Sequence, residues 1–304
     1  MSRSTTQRPG STLKIKDIFD LIAVAALFGG AFLFMRVAAP EFGAIPLIAV
    51  RLALAAMILV PIILARRSMG EVVQHWRPIT MMAFLHYALP FSLFAYALLT
   101  LTGSFTAIIN ASSPLFVGVI AWLWTGERLP AIRVIGLLIG FVGVILLVWD
   151  KVHLDLDAVG IATAAAVSAS FCYGLAAVLA KKHLAGVSAL AVATGSMVAG
   201  TAMLLPFAVW LWPDTAPSTH AWVMAAVLGV ACTSLAFVLY FRLIASVGPT
   251  KAITVTFLIP VFAVVFGAIL LDEPISVSMI VGGLVILLGT GLSTGLLKPR
   301  GAAM

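Results

Sequence analysis

The sequence predicts an all-α membrane protein in which ten transmembrane helices form two inverted repeats of five helices. Three observations support this fold class: the composition, ten long apolar segments, and a pattern of residues that occurs twice. Of the 304 residues, 62% are hydrophobic and 10% are charged. A soluble domain needs about 25% charged residues to cover its surface, so we expect most of this surface to contact lipid.

Ten segments are long enough to cross a bilayer, which takes about 20 mostly apolar residues. Their connections are short, and none is long enough for a separate soluble domain. The first segment follows a basic N-terminal stretch but is too long for the hydrophobic part of a signal peptide, so we expect it to be retained. The predicted spans are 17–39, 44–65, 79–99, 103–124, 131–149, 158–181, 187–210, 220–243, 250–271 and 276–297.

The lysine and arginine residues accumulate on one side of the predicted bundle. Fifteen of the 18 fall in the terminal segments and in alternate connections, Lys151 falls on the opposite side, and Arg36 and Arg51 lie within spans. Because cytoplasmic connections are enriched in Lys and Arg, we expect both chain ends in the cytoplasm and the protein in the cell inner membrane. The scatter of these residues argues against a nucleic-acid partner, despite the net charge of +7.

A displacement of 146 residues aligns the end of the fourth predicted span with the end of the ninth. Pro114 then matches Pro260, and Glu127, thirteen residues further on, matches Glu273. Five spans per repeat give the two halves opposite orientations in the membrane. Inverted repeats recur in transporters, with the substrate near the midplane between them. We therefore divide the chain into two five-helix repeats, 1–149 and 150–304.

These repeated residues resemble the EamA-type, ten-helix branch of the drug/metabolite transporter superfamily. The resemblance rests on both copies of Pro-x-Phe with the following Glu, on Arg51 in Val-Arg-Leu, and on the segment 27–32, where Phe28 replaces the usual Trp. It covers about residues 17–297, and within the branch the chain is most similar to YddG-type exporters of aromatic amino acids. The resemblance implies export of amino acids or related metabolites, and we expect no cofactor.

Polar and aromatic residues within the spans predict a central substrate cavity. Polar groups in lipid are costly and usually face a cavity or the protein interior, and residues at i, i+4 and i+7 share one helix face. We expect the rings to stack on the apolar part of the cargo, while amide, imidazole and hydroxyl groups hold its polar end. The candidate substrate-binding residues are His86, Tyr87, Tyr96, Thr106, Asn110, Ser113, Ser170, Tyr173, Thr233, Phe237, Tyr240, Thr254 and Phe257.

Each of these candidates also has a structural alternative. A Ser or Thr in a membrane helix commonly donates its hydroxyl to a carbonyl of the preceding turn, and each Tyr could simply pack in the core. Asn110 could either join two helices or contact the cargo, because one carbonyl cannot satisfy its amide. His86 is the only histidine well inside a predicted span, and it could line the cavity or be satisfied in the core.

Five further residues are predicted to have structural or gating roles: Arg51, Pro114, Glu127, Pro260 and Glu273. The prolines are expected mid-helix, where each removes a backbone hydrogen bond and can kink its helix. The glutamates end matching helices at opposite membrane faces. Arg51 is expected to reach the outer interface or to pair with Glu41, and binding of a substrate carboxylate is the alternative. The fifth and tenth spans are expected outside the cavity, as support or as contacts of a homodimer.

The predicted spans have no Asp or Glu near their middle, and we expect no Lys or Arg in their central regions. A buried carboxylate is usual in proton-coupled exporters of cationic drugs, and sugar-phosphate carriers need basic residues, so a neutral or zwitterionic cargo is favoured. The chain shows no nucleophile–base or metal motif of an enzyme and no continuous polar stripe of a channel. We predict a secondary transporter or facilitator that exports small metabolites, foremost aromatic or other hydrophobic amino acids, by alternating access through a central cavity. Transport of a different metabolite or drug class is the alternative, and a channel is the remote one.

Overall fold

The computed structural model describes residues 14–125, 130–149 and 158–297, and over these ranges the protein consists of helices and short connections. In the described ranges, nine helical segments are long and apolar enough to cross a membrane, and the apolar helix Val255–Leu270 is shorter. The shorter helix forms the ninth span together with a preceding helical turn. The protein is therefore an all-α, multi-pass membrane protein.

Within the described residues, fourteen α-helices and two π-helical turns build the ten spans, and one short helix lies in the connection between the second and third spans. The third, fourth, eighth and ninth spans each consist of more than one piece, whereas the other six are continuous. The helices are α1 Ile15–Phe42, α2 Ala44–Ala65, α3 Met69–Gln74, α4 Trp76–Met82, α5 Leu89–Ala97, α6 Gly103–Asn110, α7 Ser113–Thr125, α8 Ala131–Trp149, α9 Ala158–His183, α10 Ala189–Trp210, α11 Thr219–Gly229, α12 Ala236–Val247, α13 Pro249–Ala252, α14 Val255–Leu270 and α15 Val277–Thr294. The π turns are Ala83–Ala88, between α4 and α5, and Val230–Leu235, between α11 and α12.

The contacts between helices follow an inverted repeat. The fifth helices of the two halves, α8 and α15, pack together, as do the second helices, α2 and α10. The first helix of each half packs against the third and fourth spans of the other half: α1 contacts α12 and α14, and α9 contacts α5 and α7. Each half thus inserts its first helix into the other, and the centre of the bundle is built from both.

Consecutive spans cross the bundle in alternate directions, so the connections fall on two faces. These two faces differ in charge. We call the face at the start of α1 the basic face, since the described cations of the termini and connections lie there. The other face, with the connections at Gly43, 98–102, 211–218 and 271–276, is called the opposite face. The cations of the basic face are Lys14, Lys16, Arg66, Arg67, Arg77, Arg133, Lys181, Lys182, Arg242 and Lys251.

Close packing of α8 on α15 depends on glycine. A Cβ atom at Gly289 would lie 2.3 Å from the backbone nitrogen of Gly140, and one at Gly136 would lie 2.5 Å from that of Ser293. Small residues allow helix backbones to approach in this way within a membrane. Gly136 and Gly140 therefore serve contacts within one chain, and Gly295 ends α15 in a left-handed conformation with φ of 77°.

The two repeated prolines occupy different positions in their helices. α6 ends at Asn110 and α7 begins at Ser113, so Pro114 lies in a first turn, where its missing N–H removes no helical hydrogen bond. The predicted kink at Pro114 is therefore wrong, since the fourth span is broken just before it. Pro260 lies inside α14, as predicted, and the ninth span is interrupted earlier, at 253–254.

Candidate functional site

The two π turns lie at equivalent places in the repeats. A displacement of 147 residues brings Ala83–Ala88 onto Val230–Leu235, and the fourth residue is His86 in one turn and Thr233 in the other. A π turn inserts an additional residue into a helix and redirects the side chains around it, and such turns are frequent at functional sites. The two repeats thus carry the same interruption at equivalent places in their third spans.

The rings of three spans meet at the centre of the bundle. Tyr87 is 4% exposed, and its ring centroid lies 4.8 Å from that of His86, 5.7 Å from that of Phe91 and 5.8 Å from that of Phe237. Tyr173 of α9 lies 4.9 Å from His86. We call His86, Tyr87, Phe91, Tyr173 and Phe237 the central aromatic cluster. It joins residues of both halves.

Three further rings border the central aromatic cluster. Phe28 of α1 lies 5.6 Å from Phe237 and 6.2 Å from Tyr240, and Phe94 lies 5.8 Å from Tyr173. Phe28, Phe91 and Phe94 were absent from the sequence-based candidates. Phe91 and Phe94 follow Tyr87 by four and seven residues, so the spacing that identified other faces could also have found them.

Arg51 lies beside the central aromatic cluster and not at the membrane interface. Arg51 is 3% exposed, and its guanidinium carbon lies 3.8 Å from the centroid of the Phe91 ring, in cation–π geometry. Its Nε donates to Thr233 Oγ1 at 2.9 Å. The expectation that no basic residue lies in a central region is therefore wrong for Arg51.

The predicted partner of Arg51 is occupied elsewhere. Glu41 accepts hydrogen bonds from the backbone N–H of Ser218 at 2.7 Å and from its hydroxyl at 2.9 Å, on the opposite face. Arg36, the other arginine within a span, donates through Nη1 to the carbonyl of Leu98. Arg36 therefore stays near the opposite face, as its position in the sequence indicates, whereas Arg51 does not.

Hydroxyl groups around Asn110 donate hydrogen bonds to backbone carbonyls at the break between α6 and α7. Ser113 donates to the Asn110 carbonyl at 2.7 Å and also lies 3.2 Å from its side-chain oxygen. Ser170 of α9, fully buried, donates to the carbonyl of Ile109 at 3.3 Å. Thr290 of α15 donates to the carbonyl of Ala111 at 3.3 Å. These hydroxyls thus supply donors to carbonyls at the interrupted helix, while Asn110 itself stays half-buried.

Two of the remaining candidates donate their hydroxyls to nearby backbone carbonyls, and Tyr96 lies on the outside of the bundle. Thr106 is fully buried and donates to the Thr102 carbonyl at 2.9 Å, and Thr254 donates to the Lys251 carbonyl at 2.5 Å. Phe257 is half-buried on α14. Tyr96 is 43% exposed and lines a mostly apolar groove of about 510 Å³ on the outside of the bundle. The structure therefore does not bring Tyr96 into the central cavity that the sequence predicted.

Polar contacts between the halves occur on both faces. On the basic face, Arg242 of α12 makes a two-pronged ion pair with Asp20 of α1, with Nε at 2.7 Å from Oδ2. On the opposite face, the buried Glu273 carboxylate accepts from the backbone N–H groups of Gly103 and Ser104 at 2.7 and 2.9 Å. Glu273 thereby caps the N-terminus of α6, where a negative charge is favourable. Its repeat counterpart, Glu127, lies outside the described residues.

A further contact on the basic face joins α3 to α10. The Glu71 carboxylate accepts from the backbone N–H of Ser188, the N-cap residue of α10, at 2.9 Å. The hydrogen bonds from the Ser188 side chain and backbone lower the pKa of Glu71 below its usual value, and His75 adds a smaller favourable charge interaction. Among the described residues, no group of three His, Cys, Asp or Glu side chains could hold a metal ion.

The EamA-like transporter family pattern matches this chain twice, over residues 16–149 and 160–295. The chain belongs to the EamA-like transporter family. Curated relatives include the uncharacterized transporter YvbV of Bacillus subtilis, which is 28% identical over 78% of each chain. YoaV of Bacillus subtilis, also named an uncharacterized transporter, is 23% identical over 92% of this chain and 97% of its own.

More distant comparisons agree with the EamA-like assignment. An uncharacterized transporter of Archaeoglobus fulgidus is 23% identical over 90% of this chain and 96% of its own. One solved crystal structure superposes with a TM-score of 0.65 over 94% of this chain and 99% of that chain, at 18% identity. At that identity the superposition shows the shared fold alone. Membership of the EamA-like family supports a transport function.

Proposed function

We propose that this protein is a secondary transporter that exports amino acids with aromatic or other apolar side chains by alternating access. The observation that carries the proposal is the central aromatic cluster, which combines rings of both halves beside the buried guanidinium of Arg51. A site that both halves build can open first to one side and then to the other as the halves move. This is the arrangement that alternating access requires.

The chemistry of the cluster suits a cargo with an apolar ring. Aromatic rings at centroid separations of 4.8 to 5.8 Å already stack edge-on around Tyr87, and such contacts favour a further ring by about 0.5–1.5 kcal/mol each. His86 and Asn110 are both half-buried and carry polar groups that can both donate and accept hydrogen bonds. We propose that they hold the polar end of the cargo.

The contacts between the halves suggest how access alternates. The ion pair of Asp20 with Arg242 joins α1 to α12 on the basic face, and the cap that Glu273 provides joins the last connection to α6 on the opposite face. Opening either face requires its own contacts to break while the others hold. We propose that these two sets of contacts serve as the inner and outer gates.

The orientation follows from the charges of the basic face. Its connections carry the described lysines and arginines, and such residues favour the cytoplasmic side of a membrane. We propose that both termini lie in the cytoplasm and that the protein lies in the cell inner membrane. Labelling of single cysteines introduced at Gly70 and at Asp214, one in a connection of each face, tests this orientation in intact cells.

The function is tested by uptake of labelled phenylalanine, tryptophan and threonine into liposomes that contain the purified protein. We expect saturable uptake of the aromatic amino acids, mutual competition between them, and weaker uptake of threonine. Flux that rises in proportion to concentration would indicate a channel and refute alternating access. Repeating the assay with a pH gradient tests coupling, because a gradient-dependent rate would make His86 the coupling group.

A further inference from the structure

Arg51 is a cation enclosed in the middle of the bundle. It is the eighth residue of α2, about 11 Å along the helix axis from its start at a rise of about 1.5 Å per residue. Arg51 is 3% exposed, and α11 covers it closely: a Cβ atom at Gly229 would lie 3.0 Å from the Arg51 carbonyl oxygen. The side chain therefore cannot reach water along the lipid-facing surface.

The protein groups around the guanidinium are neutral. Nε donates to the Thr233 hydroxyl at 2.9 Å, Nη1 to the sulfur of Met35 at 3.4 Å, and the plane lies over Phe91. A thioether sulfur is a weak acceptor, and a guanidinium has five N–H donors in a planar fork. A buried charge normally has an ionic partner, since leaving it unpaired is costly.

The described carboxylates are engaged or placed elsewhere. Five of them accept hydrogen bonds from groups other than Arg51, and Asp214 and Asp272 are exposed in connections of the opposite face. The engaged carboxylates are Asp17 with Ser246, Asp20 with Arg242, Glu41 with Ser218, Glu71 with Ser188 and Glu273 with Ser104. The positive charge at the site is therefore available to an anion from outside the protein.

The surroundings of Arg51 define which anion fits. Its neighbour Phe91 belongs to the central aromatic cluster, so an apolar group bound by the rings would place an attached anionic group beside the guanidinium. The planar fork of Arg matches the two oxygens of a carboxylate. A phosphate dianion would need further cations, and the described residues of the central aromatic cluster add no Lys or Arg to the neighbouring Arg51.

We infer that Arg51 binds the carboxylate of the cargo, so that a carboxylate attached to an apolar body is required and an amino group is not. This rests on the proposed function in one respect, namely that the central aromatic cluster is the cargo site. The substrate class is then small monocarboxylates with an apolar or aromatic body, of which amino acids are one kind. Arg51 thereby holds the carboxylate, and the role proposed for His86 and Asn110 is limited to the other polar groups of the cargo.

Direct binding tests the inference without transport. The thermal midpoint of the solubilised protein is measured with 3-phenylpropanoate, which lacks the amino group, with phenethylamine, which lacks the carboxylate, and with inorganic phosphate. We expect 3-phenylpropanoate to raise the midpoint, whereas phenethylamine and phosphate should not. It should also compete with labelled phenylalanine, at a half-inhibitory concentration within about threefold of that of unlabelled phenylalanine. An equal response to phenethylamine or to phosphate would overturn the inference.

Variants assign the effect to one residue. Arg51→Lys keeps the charge but loses the planar fork, so we expect the concentration of 3-phenylpropanoate for half-maximal stabilisation to rise at least tenfold. Arg36→Met is the matched control, since it removes the other arginine within a span, whose guanidinium bonds the Leu98 carbonyl, and its binding should match that of the unmodified protein. An undiminished response in Arg51→Lys would overturn the inference.

The two proposals fail in different ways. Saturable phenylalanine uptake with an equal response to phenethylamine would preserve amino-acid transport and remove the carboxylate requirement. Stabilisation by 3-phenylpropanoate that depends on Arg51, with no phenylalanine uptake, would preserve the carboxylate site and remove amino acids as the cargo. The comparison of ligands and the uptake assay both use the unmodified protein, so the carboxylate requirement is tested even where a variant fails to fold.

Discussion

Replacement of Glu273 by alanine should destabilise the protein strongly, because one buried carboxylate satisfies three donors of another helix. Its Oε1 accepts from the Gly103 N–H at 2.7 Å, and its Oε2 accepts from the Ser104 N–H at 2.9 Å and from the Ser104 hydroxyl at 2.5 Å. Glu273 is 8% exposed, so water replaces few of these bonds. The substitution leaves the first N–H groups of α6 without an acceptor.

The magnitude follows from the groups left unpaired. Each buried donor without an acceptor costs about 1–3 kcal/mol, and two backbone N–H groups give an expected loss of roughly 2–6 kcal/mol for Glu273→Ala. With about 2–4 °C per kcal/mol for a chain of this size class, the thermal midpoint in detergent should fall by roughly 10 °C. Glu273→Gln retains one acceptor oxygen but loses the charge, so its midpoint should lie between those of the unmodified protein and Glu273→Ala.

Glu41 provides the matched control for Glu273. It also accepts from a backbone N–H and a serine hydroxyl at the N-terminus of a helix, α11, but it is exposed. Water competes for such contacts, so Glu41→Ala should shift the midpoint much less than Glu273→Ala. Equal shifts in the two variants, measured by the same fluorescence-detected unfolding, would refute the argument that burial makes the cap at Glu273 strong.

Three smaller changes probe other contacts. Gly289→Ala places a methyl group 2.3 Å from the α8 backbone and should cost about 1–3 kcal/mol through overpacking, whereas Gly70→Ala, with open space around its Cβ, should not lower the midpoint. Asp20→Asn and Arg242→Gln each remove the same ion pair, so the unfolding midpoint of the double variant should fall by less than the sum of the single shifts; a full sum would refute their coupling. Glu71 has a lowered pKa in the folded protein, so the stability that it contributes is present above its usual pKa and is lost as the pH falls through the folded value. The difference in unfolding midpoint between the unmodified protein and Glu71→Gln should therefore narrow in acid. A difference that stays constant with pH would contradict this linkage.

The sequence predicted where the spans lie but not where they are interrupted. The predicted fourth span, 103–124, has the length of the helical segment Gly103–Trp124, yet the structure divides it at 111–112. Apolar length measures the distance across a membrane and is insensitive to one or two non-helical residues. A proline indicates either a kink or a first turn, and Pro114 alone could not distinguish them.

The π turns explain why the spacing of residues along a helix predicted only some of the side chains that meet in the central aromatic cluster. Spacing at i, i+4 and i+7 assumes the regular α-helical repeat, and a π turn shifts every later residue relative to that repeat. His86 and Thr233 lie inside such turns, and Tyr96 follows one in the same span. The central rings could be chosen by type and depth, but the exposed position of Tyr96 depends on a shift that no periodicity reveals.

Arg51 shows why depth along a helix does not determine solvent access. As the eighth residue of α2 it is near enough to one face for a long side chain to reach water if the helix bordered lipid there, but α11 covers α2 at Gly229. The displacement of 146 residues pairs Arg51 with Met197 of α10, the equivalent helix of the second half, and Met197 is fully buried. The positive charge therefore occurs in one repeat only. An inverted repeat supplies a nearly symmetric scaffold that can open to either side, whereas a bound molecule with distinct polar and apolar ends needs an asymmetric site. The difference between Arg51 and Met197 supplies that asymmetry, and it is the reason we expect the orientation of the cargo to be set by the first half.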